Sequence, residues 1–186
     1  MALLKTPICE FGQEAIDFDL KSVSGEKVNL DEVAGENGTL IMFICNHCPY
    51  VQGIIDPLVE DIEVMQDAGI GVAAIMSNDA DRYPADSFEN MKEFAIEHDF
   101  SFPYLIDDTQ DVAKAYDAVC TPDFYGFNSD LELQYRGRFS SSGMNHDAGA
   151  EHELLKAMLK IAETGEGPAD QNPSMGCSIK WRERPE

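Results

Sequence analysis

Read from its N-terminus, the chain alternates short apolar runs with amphipathic stretches. Phe18-Asp19-Leu20 and Val28-Asn29-Leu30 flank the turn Ser24-Gly25-Glu26-Lys27, which predicts an N-terminal hairpin. Thr39 to Ile44 is apolar and bounded by turn residues, as a strand buried on both faces would be. Beyond Pro49, residues Ile54, Ile55, Leu58, Val59, Ile62 and Met65 recur at helical spacing and lead to a second buried run, Gly69 to Met76. A helix between two such strands makes them parallel. Ser87 caps a predicted helix running to about His98, with Phe88, Met91, Phe94 and Ala95 on one face. A strand at Tyr104–Ile106, a helix from about Thr109 to Tyr116, and strands at Phe124–Phe127 and Leu133–Arg138 joined by Asn128-Ser129-Asp130 follow. A closing amphipathic helix spans about Gly149 to Ala162, and residues 164–186 read as a loop tail that wraps the domain. This order predicts one α/β domain over residues 1–186, an α/β/α sandwich around a central mixed sheet.

Composition narrows the function. At 186 residues and 44% apolar, the chain can bury a core without covalent staples. A formal charge of −22 repels phosphate backbones and anionic lipid, so neither nucleic acid nor membrane is an expected partner. The first thirty residues carry no basic start followed by an apolar run, and a cytoplasmic location is the expectation. Five cysteines, an odd number spread along the chain, are unlike the framework of a small secreted scaffold.

Cys45-Asn46-His47-Cys48-Pro49 stands where a buried strand ends and a helix begins. Disulfide exchange needs a thiolate, a second thiol within a turn, and a field that stabilises negative sulfur. The helix mouth predicts an exposed Cys45 with a lowered pKa, and His47 can donate a hydrogen bond to its sulfur. Two other readings stay open. A zinc site wants four ligands, usually from two close pairs, and the sequence has no second Cys-x-x-Cys, so no metal and no cofactor are expected. The pair could also be inert and buried. Val119-Cys120-Thr121-Pro122-Asp123 holds a Thr-Pro bond which, if cis and facing the redox pair, would present the Thr121 backbone to a substrate. Cys120 is a candidate third redox thiol or a small core side chain.

At these residues the sequence resembles the thioredoxin-like superfamily, in its redoxin branch of alkyl hydroperoxide reductases and thiol-specific antioxidants. It is most similar there to a peroxiredoxin-like group with a Cys-Asn-His-Cys-Pro motif. Cys45–Val51, Ser77-Asn78-Asp79, Asn90–Ala95, Cys120–Phe124, Tyr135–Arg138 and Gly176–Trp181 carry the similarity, which spans about Pro7 to Trp181. The resemblance implies a thioredoxin fold, Cys45 and Cys48 as the redox pair, and Pro122 as a cis proline beside it. Peroxiredoxins place the attacking Cys in a Pro-x-x-x-Thr-x-x-Cys pattern. With Cys48 on that Cys, Cys45 replaces the Thr and Ile41 the Pro, and Arg136 or Arg138 would have to supply the cation. Cys177 is a candidate distant resolving thiol or a buried tail residue, and Cys9 has no assigned role.

The leading expectation is a thiol–disulfide oxidoreductase using Cys45 and Cys48, supported by Asn46, His47, Pro49, Thr121 and Pro122. One alternative is a thiol-dependent peroxidase with Cys48 attacking. The other is a non-catalytic thioredoxin-fold module for binding or redox sensing. The implied partners are a disulfide or peroxide substrate and an external thiol reductant such as thioredoxin. The hairpin edges and the tail are compatible with a homodimer.

Overall fold

The computed structural model describes residues 3–143 and 147–183. Its strands are β1 (Leu3–Lys5), β2 (Asp19–Ser22), β3 (Lys27–Asn29), β4 (Gly38–Phe43), β5 (Ile70–Met76), β6 (Tyr104–Ile106), β7 (Cys120–Thr121), β8 (Asp123–Phe127), β9 (Leu133–Tyr135) and β10 (Met175–Ser178). The helices are α1 (Leu30–Val33), α2 (Pro49–Gln52), α3 (Ile55–Asp67), α4 (Phe88–Glu97), α5 (Asp111–Ala115) and α6 (Glu153–Thr164). The main sheet runs β3-β2-β6-β5-β4-β8-β9, with β4, β5 and β6 parallel and the other pairings antiparallel. This is the thioredoxin fold with the expected N-terminal hairpin at one edge. No helix among the described residues is long and apolar enough to cross a membrane.

Strand β4 explains the layering. Its residues are all buried, and alternate side chains point to opposite faces. Leu40 and Met42 join the core formed with α3, α4 and α6, while Ile41 and Phe43 join Ala73, Ile75, Leu105, Tyr125 and Phe127 on the other side. Flanked by β5 and β8, β4 is central, and it delivers the chain directly into Cys45.

Several elements differ from the pattern-based expectation. Leu30 starts α1 instead of ending a strand, because Asn29 and Glu32 form a reciprocal capping box. The helix expected after Pro49 is interrupted at Gly53–Ile54, leaving α2 as a single turn. The strand expected to reach Arg138 ends at Tyr135, since Arg136 turns inward to a buried carboxylate. The closing helix begins at Glu153 rather than near Gly149. In the tail, expected as loop, Met175–Ser178 forms β10, which pairs with β1 and β7 in a second, three-stranded sheet. A strand only four residues long has too little periodicity to stand out in sequence, although β10 is the middle strand of its sheet.

Gly176 makes that pairing feasible, because a Cβ there would lie 1.9 Å from the Thr121 carbonyl oxygen. Gly176→Ala is therefore expected to push β10 off β7 and to destabilise the protein by roughly 1–3 kcal/mol, read as a lowered Tm in a thermal melt.

Candidate redox site

Pro49 occupies the first position of α2, so the residue before it, Cys48, becomes the N-cap with extended φ −72° and ψ 123°. Its carbonyl accepts from the N–H groups of Val51 and Gln52 at 3.0 and 2.9 Å. Cys48, rather than Cys45, thus stands at the helix mouth. Both are buried, at 0% and 1% exposure, so the expected exposed position for the pair is not found.

Both sulfurs face Thr121. Cys45 Sγ lies 3.5 Å from Thr121 Oγ1, and the Cys48 thiol donates to the Thr121 carbonyl at 3.3 Å. The Thr121–Pro122 bond is cis. Thr121 is also the register partner of Cys177 across β7 and β10, which brings a third thiol to the same place.

These neighbours separate the two thiols. Donation from the Cys45 thiol pulls the Cys48 pKa well below its ordinary value against the cost of burial, with Thr121 and the thiol and backbone N–H of Cys177 adding to it. Cys45 is pushed up by that same donation, then by burial and the charge of Asp86. These contacts lower Cys48 and raise Cys45, the reverse of the direction expected for Cys45 from sequence. When Cys48 ionises it gives up its donation to the Thr121 carbonyl and accepts from its neighbours instead.

The loop between the cysteines is held rigidly. Asn46 donates its backbone N–H to Asp86 Oδ1 at 2.8 Å and its side-chain amide to the Ala85 carbonyl at 3.0 Å, and it accepts from the Tyr104 hydroxyl at 2.8 Å. Gln52 Nε2 donates to the Asn46 carbonyl at 2.9 Å. His47 turns to Asp86, with Nδ1 2.5 Å from Oδ2, and stacks on Tyr83 at 5.9 Å with 2° between the rings. Charge attraction carries the approach to Asp86, because the ring N–H is not aligned for a hydrogen bond. The expected donation from His47 to Cys45 therefore gives way to a buried carboxylate. Asp86 raises the His47 pKa, opposed by burial. Burial pulls Asp86 up, but His47, Asn78 Nδ2 at 3.0 Å and the Asn46 N–H outweigh it and hold the carboxyl below its ordinary value.

The arginines proposed as cations for Cys48 are engaged elsewhere. Arg136 forks onto Asp123 through Nη2–Oδ2 at 3.0 Å and Nε–Oδ1 at 3.3 Å, and lies over the Tyr125 ring at 4.5 Å. Arg138 pairs with Glu153 at 2.5 Å. Arg138 nevertheless lines a groove of about 240 Å³ with Tyr50, Ile54, Pro122, Phe139 and Met175, beside the cis proline. Cys120 is fully buried, its thiol directed to the Pro122 carbonyl at 3.6 Å and its pKa raised by burial. Burial also raises Cys177, to about 11, and Cys9, to about 11. In the tail, Ile179 is buried and Trp181 is exposed beneath Lys114.

Sequence reasoning did not assign roles to Asp86, Tyr83, Asn78 or Tyr104. Asp86 lies on a 3-10 turn, Pro84–Asp86, within a polar stretch that carries no signal of burial.

Comparison with known proteins agrees with this architecture. A structure described as an uncharacterized conserved protein from Geobacillus kaustophilus is 44% identical, covers 100% of this chain and 99% of its own, and superposes with a TM-score of 0.93. The hypothetical protein SMc02350 from Sinorhizobium meliloti 1021 is 33% identical over 96% of this chain and 97% of its own, with a TM-score of 0.88. Peroxidoxin BcpB from Mycobacterium tuberculosis, at 15% identity, 81% and 96% coverage and a TM-score of 0.62, shares the fold. The thioredoxin-like protein YneN of Bacillus subtilis (strain 168) is 30% identical over 115 residues, 61% of this chain and 63% of YneN, less than two thirds of its length. The AhpC/TSA family model matches residues 11–139, from before the N-terminal hairpin through the cysteine pair and the cis proline to Phe139, and the chain accordingly belongs to the AhpC/TSA family.

Proposed function

We propose that the protein is a thiol–disulfide oxidoreductase whose couple is Cys45 and Cys48, with Cys48 the attacking thiolate. The observation that carries this reading is the pairing of two hydrogen-bonded sulfurs on Thr121, with Cys48 at the N-cap of α2. The helix terminus and surrounding donors stabilise negative sulfur, while Cys45 retains a proton and stays available to resolve.

In the proposed cycle, the Cys48 thiolate attacks one sulfur of a substrate disulfide. A Cys48–substrate mixed disulfide forms as the old S–S bond breaks, and the released substrate thiolate takes the proton from Cys45. Cys45 then attacks Cys48 sulfur, forming the Cys45–Cys48 disulfide and releasing the second substrate sulfur as a thiolate. Two electrons have passed from the pair to the substrate, and an external dithiol such as thioredoxin returns them. The groove beside Pro122 offers apolar and aromatic contacts for the substrate chain. Because both sulfurs are buried, a substrate reaches them only when the residues around them open locally.

The lowered Cys48 pKa favours one second reading, a thiol-dependent peroxidase. The engagement of Arg136 and Arg138 with carboxylates argues against it, since neither is free to polarise a peroxide O–O bond at Cys48. Reduction of a small disulfide and of hydrogen peroxide, measured side by side with a thioredoxin reducing system, separates the two. Disulfide turnover without appreciable peroxide turnover supports the oxidoreductase; the reverse supports the peroxidase. Limiting iodoacetamide on the reduced protein is further expected to label Cys48 before Cys45, as read by peptide mass spectrometry. Labelling of Cys45 first would reverse the assigned roles.

A further inference from the structure

The His47–Asp86 approach leaves three donors of different chemistry converging in one place. Cys45 Sγ, His47 Nδ1 and an Asp86 carboxylate oxygen all lie within 4.8 Å of one another. We propose that these three atoms bind one thiophilic divalent cation of the Zn²⁺ class in the reduced protein, with a fourth position left for water. The sequence contains no second close cysteine pair, and the third donor comes instead from a 3-10 turn about forty residues away.

The donor set and its surroundings fit such an ion. Thiolate, imidazole and carboxylate are the three side-chain ligands zinc takes, and three protein ligands with one open position is a recurrent arrangement for it. Tetrahedral bonds of roughly 2.0–2.3 Å place ligand atoms about 3.3–3.6 Å apart, so small side-chain movements close the site. The 2.5 Å between Nδ1 and Oδ2 opens by about 1 Å as the ion enters between them, with the imidazole neutral.

Each ligand is also fixed from behind. Asp86 is fully buried and held by the Asn46 N–H and Asn78 Nδ2. Tyr83 stacks on the His47 ring, and Thr121 Oγ1 touches Cys45 Sγ. Such outer contacts orient ligands before the ion arrives. His47 Nδ1 is itself buried without an aligned hydrogen bond, and on loss of its proton its lone pair can serve a metal. The net charge of −22 favours cation approach in general. Since the ion and a Cys45–Cys48 disulfide both require Cys45 Sγ, the two states exclude each other.

The full chain, reduced and kept anaerobic, is titrated with Co²⁺ as the probe. One equivalent is expected to bind with a sulfur-to-cobalt charge-transfer band, displaced by Zn²⁺. Cys45→Ser should abolish the band, while His47→Ala and Asp86→Asn should each weaken affinity tenfold or more. Cys9→Ser and Cys177→Ser should leave it unchanged. His47 is partly exposed, so its variant tests the site even if the buried Asp86→Asn change impairs folding. A wild-type protein with no such band overturns the proposal. So does a band that survives Cys45→Ser, or one lost with Cys177→Ser. Disulfide turnover, assayed with EDTA present, is independent of this outcome, so failure of either idea leaves the other standing.

Discussion

Cys48→Ser is expected to reduce turnover of a small disulfide by about three orders of magnitude or more, because in the proposed cycle it removes the attacking thiolate. Cys45→Ser should behave differently. It leaves an attacking sulfur with no resolver, so one equivalent of substrate should be captured as a stable mixed disulfide on Cys48. Intact-mass measurement with an aromatic disulfide such as DTNB distinguishes the two variants. The difference follows from position: Pro49 places Cys48 at the N-cap, where Cys45, Thr121 and Cys177 surround its sulfur. Equal loss of chemistry in both variants, with capture in neither, would contradict this division of labour.

The second large effect concerns stability. Asp123 is wholly buried directly after the cis proline; its carboxylate takes both the Arg136 fork and the Val119 N–H at 3.1 Å. Arg136 also donates to the Asp117 carbonyl at 3.0 Å, so the ion pair ties the loop before Thr121 to the segment after β9. Asp123→Ala strands a buried guanidinium and is expected to cost roughly 3–5 kcal/mol, a Tm fall of about 10 °C or more. Replacing both partners, as in Asp123→Leu with Arg136→Met, should recover much of that loss, since breaking such a pair costs more than substituting it. Thermal melts of the single and double variants check this. A single variant within 1 °C of the wild type would mean that the pair does not anchor the loop.

The sheet and its main helices were legible because their signals are local. A run such as Thr39–Ile44 declares a buried strand, and the spacing from Ile54 to Met65 declares a helix. The cysteine pair and the Thr-Pro bond were legible for the same reason. What the sequence could not convey depends on contacts between distant segments. Asp86 reaches His47 across some forty positions from a polar stretch, and Cys177 meets Cys48 only because a four-residue tail strand closes on Thr121. The distribution of charge between Cys45 and Cys48 is an intermediate case. The Pro49 rule points to Cys48 as the cap, yet the direction of each pKa depends on donors supplied by Thr121, Cys177 and Asp86. Arg136 reads as an ordinary strand charge until Asp123 is seen beneath it.

The redox couple itself is tested most directly by incubating the reduced protein with excess oxidised glutathione, quenching in acid, alkylating the remaining thiols and mapping the peptides. The account predicts a near-stoichiometric Cys45–Cys48 disulfide, with Cys9, Cys120 and Cys177 recovered as alkylated thiols. Recovery of both Cys45 and Cys48 as free thiols, or a predominant bond from Cys48 to any other cysteine, would contradict it.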